Sequence, residues 1–389
     1  MLSNLIELPV EEKMARGLLY TPIEIAQQPT TWNQTFWTFD EQRERLILFL
    51  DQVGIHNSQN ERPIVVLIGA GTSDYVGLAL VALLREKWEC EVVACASTEL
   101  LPNLDTFVVS GRKYLWISFS RSGNSPEGVA VLEKAIRLYP EIAHLIVTCN
   151  MDAQMIPIVA VSRNSHILLL NDMVNDRGLA MTSSFTNMIV MGQCLAHAWS
   201  IEEYRATLDI LIVAGHQFLE SAARHAERIS AKHYARMCMV GSGALAAVAK
   251  ESALKVLEMT SGQIKTMSET VLGLRHGPMA ALDSDTLFVC FASEKRNIAL
   301  YAADLLCEIK QKGIVAELVV VGPSWAKSEF ICDSYLELPD EVGDAYRPIL
   351  DVIFGQLLGL YCSIEHELKP DVPSPGGVIN RVVEHFQIY

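Results

Sequence analysis

Clusters of basic residues are missing from this sequence, and acidic residues outnumber basic ones. Its 389 residues include 31 Lys and Arg against 46 Asp and Glu, which gives a formal net charge of −15. Surfaces that bind nucleic acids or anionic membranes need clustered Lys and Arg to neutralise phosphates. We therefore expect neither a nucleic-acid partner nor a basic membrane-binding surface.

Long apolar runs and a secretion signal are also missing. Apolar stretches such as residues 64–68 and 167–170 are far shorter than the roughly 18–20 residues that a membrane helix requires. The first residues, MLSNLIELPVEEKM, reach acidic side chains at once and contain neither a basic segment nor a continuous apolar one. We expect a soluble, cytoplasmic protein with no membrane partner.

The nine cysteines form no C-x-x-C pair. They lie inside apolar runs such as residues 237–239 and 289–291, which predicts buried, reduced thiols. A thiol nucleophile is the weaker alternative, because no cysteine lies beside an obvious histidine or in a glycine-rich turn. No H-E-x-x-H or Cys/His ligand pattern occurs either, so we expect no metal.

The length of the chain exceeds one ordinary core and fits two domains. The N-terminal part is predicted to be helical, with a start at Thr21-Pro22 and a second helical run over 40–53. After the polar stretch from His56 to Arg62, apolar runs of strand length alternate with turns and helical segments, which is typical of a parallel sheet in an α/β fold. We expect a helical N-terminal segment and two α/β domains, covering residues 1–55, 56–215 and 216–389.

The strand pattern repeats at a constant offset. Gly69-Ala-Gly71 follows the first strand and Gly241-Ser-Gly243 follows its counterpart, an offset of 241 − 69 = 172. The strands that match at this offset are 64–68 with 236–240, 114–117 with 286–289, and 144–147 with 316–319. Similar spacing occurs in any α/β chain, but the glycine turn repeats as well, which favours a duplicated unit. Its boundary is predicted within the helical residues 206–230.

The glycine turn after the first strand excludes one common cofactor. Ligands of open parallel sheets bind outside the carboxyl ends of the strands, where Gly69-Ala-Gly-Thr-Ser73 opens a helix. The third glycine of a dinucleotide fingerprint would fall on Asp74, a carboxylate where a pyrophosphate would lie. We set a nicotinamide site aside and expect no cofactor.

Serine dominates the second strand-end turn, Ser118-Phe-Ser-Arg-Ser-Gly-Asn-Ser125, which Pro126 follows. Ser125 is placed as a helix N-cap and Pro126 as the first helical residue. The hydroxyls of Ser120, Ser122 and Ser125 would then join main-chain N–H groups at the helix start in a cradle for a phosphate monoester.

Two alternatives to a phosphate cradle have to be considered for this turn. A capped, serine-rich surface loop fits this turn equally well when the turn is taken alone. A second serine-ended turn at Ser73, on the neighbouring strand, favours the cradle. A serine hydrolase does not fit, because neither Ser73 nor Ser122 lies in G-x-S-x-G.

A predicted helix over 251–258 places Glu251, Lys255 and Glu258 on one face. By spacing alone, a solvated face with a Glu251–Lys255 ion pair is favoured. If the face borders a cleft, Glu258 is a proton-transferring carboxylate and Lys255 a cation that positions substrate or stabilises negative charge.

His276 lies in a turn where Gly277 and Pro278 limit the backbone. A histidine held in this way can move protons near neutral pH, as opening a sugar ring requires. A histidine that is only hydrogen-bonded within a tight turn is equally consistent with the segment alone.

These segments together resemble the sugar isomerase (SIS) domain proteins, including the isomerase half of glutamine:fructose-6-phosphate amidotransferase. Residues 176–186, 251–262 and 380–383 make the sequence more similar to the group of galactosamine-6-phosphate deaminase/isomerases, also called tagatose-6-phosphate ketose/aldose isomerases. The resemblance runs from about Thr21 to the carboxyl end. It implies two tandem SIS-type sub-domains, each a mostly parallel sheet flanked by helices.

The resemblance also implies roles for individual residues. Ser73, Ser120, Ser122 and Ser125 would hold the phosphate of a sugar phosphate. Glu258 would move the proton between C1 and C2, Lys255 would be the active-site lysine, and His276 would assist ring opening, from the other subunit of a homodimer or higher homo-oligomer. Further implied substrate contacts are Gly71, Thr72, Arg121, Thr182 and Arg381. Arg121 stands where a glutamine is common in the glutamine:fructose-6-phosphate amidotransferase, so contacts near the phosphate or between the C-terminal residues and the sugar are expected to differ.

The implied activity is deamination and isomerisation of an amino-sugar 6-phosphate. No glutaminase domain precedes this unit, so it is expected to run toward deamination. A fructosamine-phosphate deglycase, a simple aldose/ketose phosphate isomerase and a non-catalytic sugar-phosphate sensor remain alternatives. The sequence leaves open whether the galacto or the gluco epimer is preferred.

Overall fold

The fold is seen in a computed structural model that describes residues 2–56, 61–374 and 376–389. Residues 57–60, part of the polar stretch predicted before the first strand, lie outside the described residues. The strands β1 to β10 are Ile64–Gly69, Val92–Ala96, Tyr114–Ser120, Ala143–Thr148, Ser165–Leu169, Arg236–Gly241, Lys265–Thr270, Thr286–Phe291, Glu317–Pro323 and Ser334–Leu338.

Helices surround these strands in the described part of the chain. The α-helices α1 to α14 are Leu2–Ile6, Val10–Arg16, Thr21–Ala26, Gln28–Val53, Thr72–Trp88, Ser97–Leu100, Leu104–Phe107, Pro126–Leu138, Met155–Val159, Ser183–Ala196, Ile201–Ser230, Ala244–Met259, Arg296–Lys312 and Pro348–Glu365. Short 3-10 helices cover Asp172–Val174, Gly273–His276, Pro278–Ala281 and Ser324–Glu329. The helical start predicted at Thr21 is confirmed, and the run predicted over 40–53 is the end of the longer helix α4.

The chain divides into two compact units. The first unit consists of Thr30–Asp176, Ser183–Leu208 and Ile379–Tyr389, and the second of Met1–Pro29, Arg177–Thr182 and Asp209–Val378. Helix α11 runs without a break through residues 206–230, where a domain boundary was predicted. The three-part division of the sequence stays a prediction.

The first unit contains a parallel sheet with the strand order β2-β1-β3-β4-β5. Its central strands β1, β3 and β4 are buried along their whole length, because helices cover both faces and the strands are nearly continuous apolar runs. The predicted parallel α/β architecture is confirmed, and the carboxyl ends of these strands meet at one edge of the sheet.

The second unit contains a sheet with the same relative order, read as β7-β6-β8-β9-β10. The register of its first central pair also agrees: Ile64 pairs with Tyr114 in the first sheet, and Arg236 pairs with Thr286 in the second, both shifted by 172 (236 − 64 and 286 − 114). These agreements are consistent with a duplicated unit, which stays a prediction.

One of the predicted strand matches is wrong. Phe119 pairs with Val147 in the first sheet, and Phe291 pairs with Val321 in the second. Val321 of β9 is therefore the counterpart of Val147 of β4, at an offset of 321 − 147 = 174 rather than 172. The segment between β8 and β9 is effectively two residues longer than its counterpart, so a constant offset does not extend to the third strand.

Helix α14 is the central helix of the second unit. Of the described helices, it alone is long and apolar enough to cross a membrane by length and composition, and 89% of the stretch concerned is buried inside the protein. The sequence reasoning did not single it out, because Asp351 and Gln356 interrupt its apolar run. Gly355 lets it pack tightly on α12, since an added Cβ atom would lie 2.1 Å from the Ser252 Oγ atom.

A buried carboxylate fixes the amino end of β9. Glu317, 3% exposed, accepts hydrogen bonds from Arg228 at 2.9 Å, from Lys232 at 2.6 Å and from the Tyr234 hydroxyl at 2.7 Å. Burial alone would raise the pKa of Glu317, but these three donors outweigh burial and lower the pKa to about 2. The cluster therefore holds the end of α11 against the second sheet.

We predict that Glu317→Gln lowers the free energy of unfolding at pH 7 by about 2 kcal/mol, after allowance for the partly exposed cations. Because the folded pKa lies below the unfolded one, this stabilisation is present above about pH 4.5 and is lost as the pH falls toward 2. Urea unfolding at several pH values measures it. As a control, Glu329→Gln removes an exposed pair with Arg296 and should change little. A constant difference between the Glu317 variant and the unmodified protein from pH 7 to pH 2.5 would contradict the assignment.

Candidate active site

The serine-rich loop of the first unit lies between β3 and α8. As predicted, Ser125 is the N-cap residue of α8 and Pro126 is its first residue. Proline fits here because its missing N–H would have no partner at a helix start. The loop therefore lies at the positive end of the helix, at the carboxyl edge of a parallel sheet, where anions are stabilised.

Hydrogen bonds within the loop orient its serine side chains. The Ser120 hydroxyl accepts a hydrogen bond from the Gly123 N–H at 3.0 Å, and the Ser122 hydroxyl accepts one from the Asn124 N–H at 3.2 Å. A hydroxyl that accepts in this way still has its own proton to donate. Both serines can therefore donate to a phosphate oxygen from a fixed position.

Neighbouring segments hold the loop from behind. The Asn150 side-chain amide donates to the Ser122 carbonyl at 2.8 Å, and the Thr148 hydroxyl donates to the Arg121 carbonyl at 3.3 Å. The Asn124 side chain accepts from the Gln154 N–H at 2.8 Å. Sequence reasoning did not find these supporting residues, because they lie at or beyond the end of β4 and carry no motif of their own.

The glycine turn after β1 lies beside this loop, because β1 pairs with β3 in parallel. Gly71 has φ +55°, a conformation that side chains rarely adopt, and helix α5 begins at the next residue. Thr72 and Ser73 are both buried in the first turn of α5. The predicted residues Gly71, Thr72 and Ser73 therefore lie at the strand end next to the serine-rich loop.

Arg121 links the serine-rich loop to the last residues of the chain. Its guanidinium is buried and donates a hydrogen bond to the main-chain oxygen of Arg381. Arg381 in turn donates to the Asp176 carbonyl at 2.7 Å and to the Asn175 side chain at 2.7 Å. The structure thus brings Arg121 and Arg381 together, as members of one hydrogen-bonded group.

Asp176 completes this group and caps a helix. Its carboxylate accepts from the N–H groups of Ser183 and Ser184, each at 2.9 Å, at the start of α10. A carboxylate at this place satisfies helix N–H groups and complements the helix dipole. The sequence motif over 176–186 was noted, but this role of Asp176 was not predicted.

In the second unit, Glu251, Lys255 and Glu258 share one face of α12, as their spacing predicted. The Lys255 Nζ atom lies 2.6 Å from Glu258 Oε2 and 3.3 Å from Glu251 Oε1. Glu251 and Lys255 are fully buried, whereas the Glu258 side chain is 23% exposed. The alternative of a solvated helix face is therefore wrong for Glu251 and Lys255, because α14 covers this part of α12.

The charge of Lys255 is held by its two carboxylate neighbours. Burial acts to lower the pKa of Lys255, but Glu251 and Glu258 together outweigh burial and raise the pKa above its usual value. The two carboxylates therefore favour the positively charged form of Lys255, which contacts Glu258. Glu258 is the member of the three that reaches the surface of its unit, which suits a carboxylate that exchanges protons with a substrate.

The remaining candidates also lie in the second unit. His276 is exposed, at the end of the 3-10 helix Gly273–His276. The preceding Arg275 fixes this turn through ion pairs with Asp304 at 2.7 Å and Glu308 at 2.8 Å. Thr182 is buried, and its main-chain oxygen accepts a hydrogen bond from the α14 residue Gln356 at 3.3 Å.

Two of the nine cysteines, Cys238 and Cys290, are buried in the strands β6 and β8. All nine are free, and burial raises the pKa values of Cys238 and Cys290 to about 12. Such thiols stay protonated near neutral pH and are poor nucleophiles. Within the described residues, no group of three or more His, Cys, Asp or Glu side chains has the arrangement of a metal site.

Comparison with solved structures defines the class of protein. A structure from Clostridium novyi NT covers 97% of this chain and 96% of its own, with 30% identity and a TM-score of 0.90. The tagatose-6-phosphate ketose/aldose isomerase from Escherichia coli covers 92% of this chain and 95% of its own, with 30% identity and a TM-score of 0.81. Two parallel five-stranded sheets flanked by helices are the fold of the sugar isomerase-domain (SIS) phosphosugar isomerases.

Comparison of sequences narrows this class to one family. No protein-family model matches the chain. The D-galactosamine-6-phosphate deaminase AgaS of Escherichia coli is 32% identical over 381 residues, which cover 95% of each chain. The chain therefore belongs to the D-galactosamine-6-phosphate deaminase AgaS family, in agreement with the resemblance found in its motifs.

We predict that Lys255→Met lowers the free energy of unfolding by about 3 kcal/mol, because it leaves the buried Glu251 carboxylate without this cation. The double variant Glu251→Gln/Lys255→Met should recover most of the loss, since it removes the buried charge as well. Urea unfolding measures both variants. If the double variant is no more stable than Lys255→Met, the loss comes from packing rather than from charge.

Proposed function

We propose that this protein converts D-galactosamine 6-phosphate and water into D-tagatose 6-phosphate and ammonia. Membership of the AgaS family supports this activity. The observation that carries the chemistry is the contact of 2.6 Å between the buried Lys255 cation and the partly exposed Glu258 carboxylate. An acid/base carboxylate beside a fixed cation is the arrangement that proton transfer next to a carbonyl requires.

The proposed reaction begins when the pyranose ring opens to the free aldehyde, with His276 assisting the proton transfer to the ring oxygen. Glu258 then removes the proton at C2, which the adjacent aldehyde has made acidic. The electron pair moves onto the aldehyde oxygen, where the positive charge of Lys255 stabilises the developing negative charge. When the proton returns to C1, the C1 oxygen gains a proton and the C2 nitrogen loses one, which leaves a hydroxyl at C1 and an imine at C2.

Water completes the reaction by adding to the imine carbon. Loss of ammonia then leaves the C2 ketone of tagatose 6-phosphate, so one water is consumed and one ammonia released. No acid or base beyond those of an aldose-ketose isomerase is needed. Ser73, Ser120, Ser122 and Ser125 hold the phosphate in this proposal, and Gly71, Thr72, Arg121, Thr182 and Arg381 are further substrate contacts.

Simple aldose-ketose isomerisation is the second candidate function. It shares the C2-to-C1 proton transfer, and the Escherichia coli structure that resembles this chain is a tagatose-6-phosphate ketose/aldose isomerase. The two functions differ in the group at C2 of the substrate, an amine or a hydroxyl. Release of ammonia therefore separates them.

We also propose the assembly and location that the resemblance implied. The protein acts in the cytoplasm, as a homodimer or higher homo-oligomer whose active sites combine His276 of one subunit with Glu258 of another. Its two units derive from a duplication, and its ligand is a sugar phosphate rather than a nucleic acid or a membrane.

The test of the function is ammonia release from purified protein with galactosamine 6-phosphate or glucosamine 6-phosphate. We expect ammonia and tagatose 6-phosphate in equal amounts from the galacto substrate. From the gluco substrate we expect less ammonia, with fructose 6-phosphate as the ketose product. We expect Glu258→Gln to reduce kcat by about 10²- to 10⁴-fold with KM changed less than about twofold, because it removes a proton acceptor and no phosphate contact. No ammonia from either amino sugar would overturn the proposal, and an unchanged kcat would remove Glu258 as the base.

The shared active site has its own test, in which inactive Glu258→Gln and His276→Ala proteins are mixed under conditions that exchange subunits. Half of the dimers are then mixed, and each contains one intact site, so about a quarter of the original activity should return. Mixing two samples of the same variant is the control. If activity stays absent although labelled subunits have exchanged, each site is built from one chain.

A further inference from the structure

The loop after β8 in the second unit is the counterpart of the serine-rich loop after β3 in the first unit. β3 lies between β1 and β4, and β8 lies between β6 and β9 in a sheet of the same order. Both loops leave the carboxyl end of a central parallel strand and lead into a helix, α8 or α13. This edge of an open parallel sheet is where ligands bind.

A carboxylate from a distant segment occupies the loop after β8. Asp344 Oδ2 accepts a hydrogen bond from the Ser293 hydroxyl at 2.5 Å, and Asp344 Oδ1 accepts one from the Glu294 N–H at 2.9 Å. Asp344 Oδ1 also lies 3.3 Å from Arg347 Nη1. A hydroxyl, a main-chain N–H and a guanidinium are the donors that sites for oxyanions use.

The donors around Asp344 are held in place by other contacts. Arg347, fully buried, donates to the Ala292 carbonyl at 3.0 Å and pairs with Asp351 at 2.7 Å. Ser293 is 2% exposed, and its hydroxyl accepts from the Lys295 N–H at 3.0 Å. These contacts do not involve Asp344, so the arrangement of donors does not depend on its carboxylate. The Asp344 side chain remains 13% exposed, which leaves a route from solvent.

The loop after β3 differs in its carboxylates, because the loop after β8 includes Glu294, whose Oε1 atom accepts a hydrogen bond from the Asp344 N–H at 3.3 Å. Residues 120–126, SRSGNSP, contain no acidic side chain, and the hydrogen bonds to the Ser120 and Ser122 hydroxyls come from N–H groups of the loop itself. The loop after β8 directs comparable donors at a carboxylate of the same chain. Of the two counterpart loops, only the loop after β3 therefore directs its donors at a site that no carboxylate of the chain occupies.

We propose that the loop after β8 is an oxyanion cradle and that the carboxylate of Asp344 occupies it. Sugar phosphate then binds only at the loop after β3, with one molecule per chain. Loss of this carboxylate opens a site for a small oxyanion such as formate. The closed cradle rests on the contacts of Asp344 alone. The statement about sugar phosphate rests on the proposed function.

The first test is chemical rescue of Asp344→Ala, measured as the melting temperature in formate and in chloride at equal ionic strength. The variant should melt below the unmodified protein, and formate should raise its melting temperature in a saturable way, by about 2 °C at a tenfold excess over the dissociation constant. The matched control is Asp340→Ala, which removes an exposed carboxylate that accepts one N–H, from Trp325 at 3.1 Å. Neither this control nor the unmodified protein should respond to formate more than to chloride.

An equal effect of formate and chloride on Asp344→Ala would overturn the cradle. A second measurement does not depend on how well that variant folds: equilibrium dialysis of the unmodified protein with labelled inorganic phosphate. One phosphate per chain supports the proposal, and two per chain show that the second loop is open, which overturns it. No bound phosphate would refute phosphate binding at the serine-rich loop, and with it the one-molecule statement, whereas the formate result judges the cradle separately.

Discussion

The second unit depends on a positive charge that is kept away from water. None of the Lys255 side chain is exposed, and its Nζ atom contacts Glu251 and Glu258 on the same helix. An isolated buried ammonium would lose its proton or unfold the site, because transfer of a charge out of water is costly. Two carboxylates at i−4 and i+3 prevent this, because they favour the charged form of the lysine.

The burial of Lys255 is in turn a property of helix packing. Gly355 and Gly359 on α14 face Ser252 and Lys255 on α12, and an added Cβ at Gly359 would lie 3.0 Å from the Lys255 carbonyl oxygen. Any larger residue at these two positions would separate the helices and admit water to the cluster. Helix α12 also packs on β6 and β7. Packing in the core of the unit therefore fixes the position of Glu258, which lies near the end of this helix. The proposed base is therefore fixed by a rigid element rather than by a loop.

The sequence predicted those features of the site that depend on local rules. The N-cap position of Ser125 with Pro126, the glycine turn at Gly71 and the shared face of α12 all follow from residues close together in the chain. Which other element covers a helix face cannot be predicted from residues that are close together in the chain. Spacing alone favoured a solvated face for Glu251 and Lys255, because the covering helix lies about a hundred residues later.

Other features joined residues that are far apart in the chain. Arg121 contacts the main chain of Arg381, 260 residues away, and Ser293 contacts Asp344, 51 residues away. Neither contact has a sequence motif, so only the three-dimensional structure reveals it. An offset of 172 likewise located the first strands of the second sheet and then failed at β9, because a change in connection length cannot be separated from a change in register by spacing alone.

A chain with a net charge of −15 must still attract a doubly charged phosphate if the proposed function holds. Charges farther away than about 8 Å are largely screened in cellular salt, so the residues next to the loop decide the local potential. The loop after β3 has no carboxylate of its own, contains the buried guanidinium of Arg121 and lies at the positive end of α8. The loop after β8 has similar donors, but an aspartate of the same chain already satisfies them. In the proposed arrangement, the carboxylates at these loops, rather than the total charge or the fold, distinguish the two strand ends as anion sites.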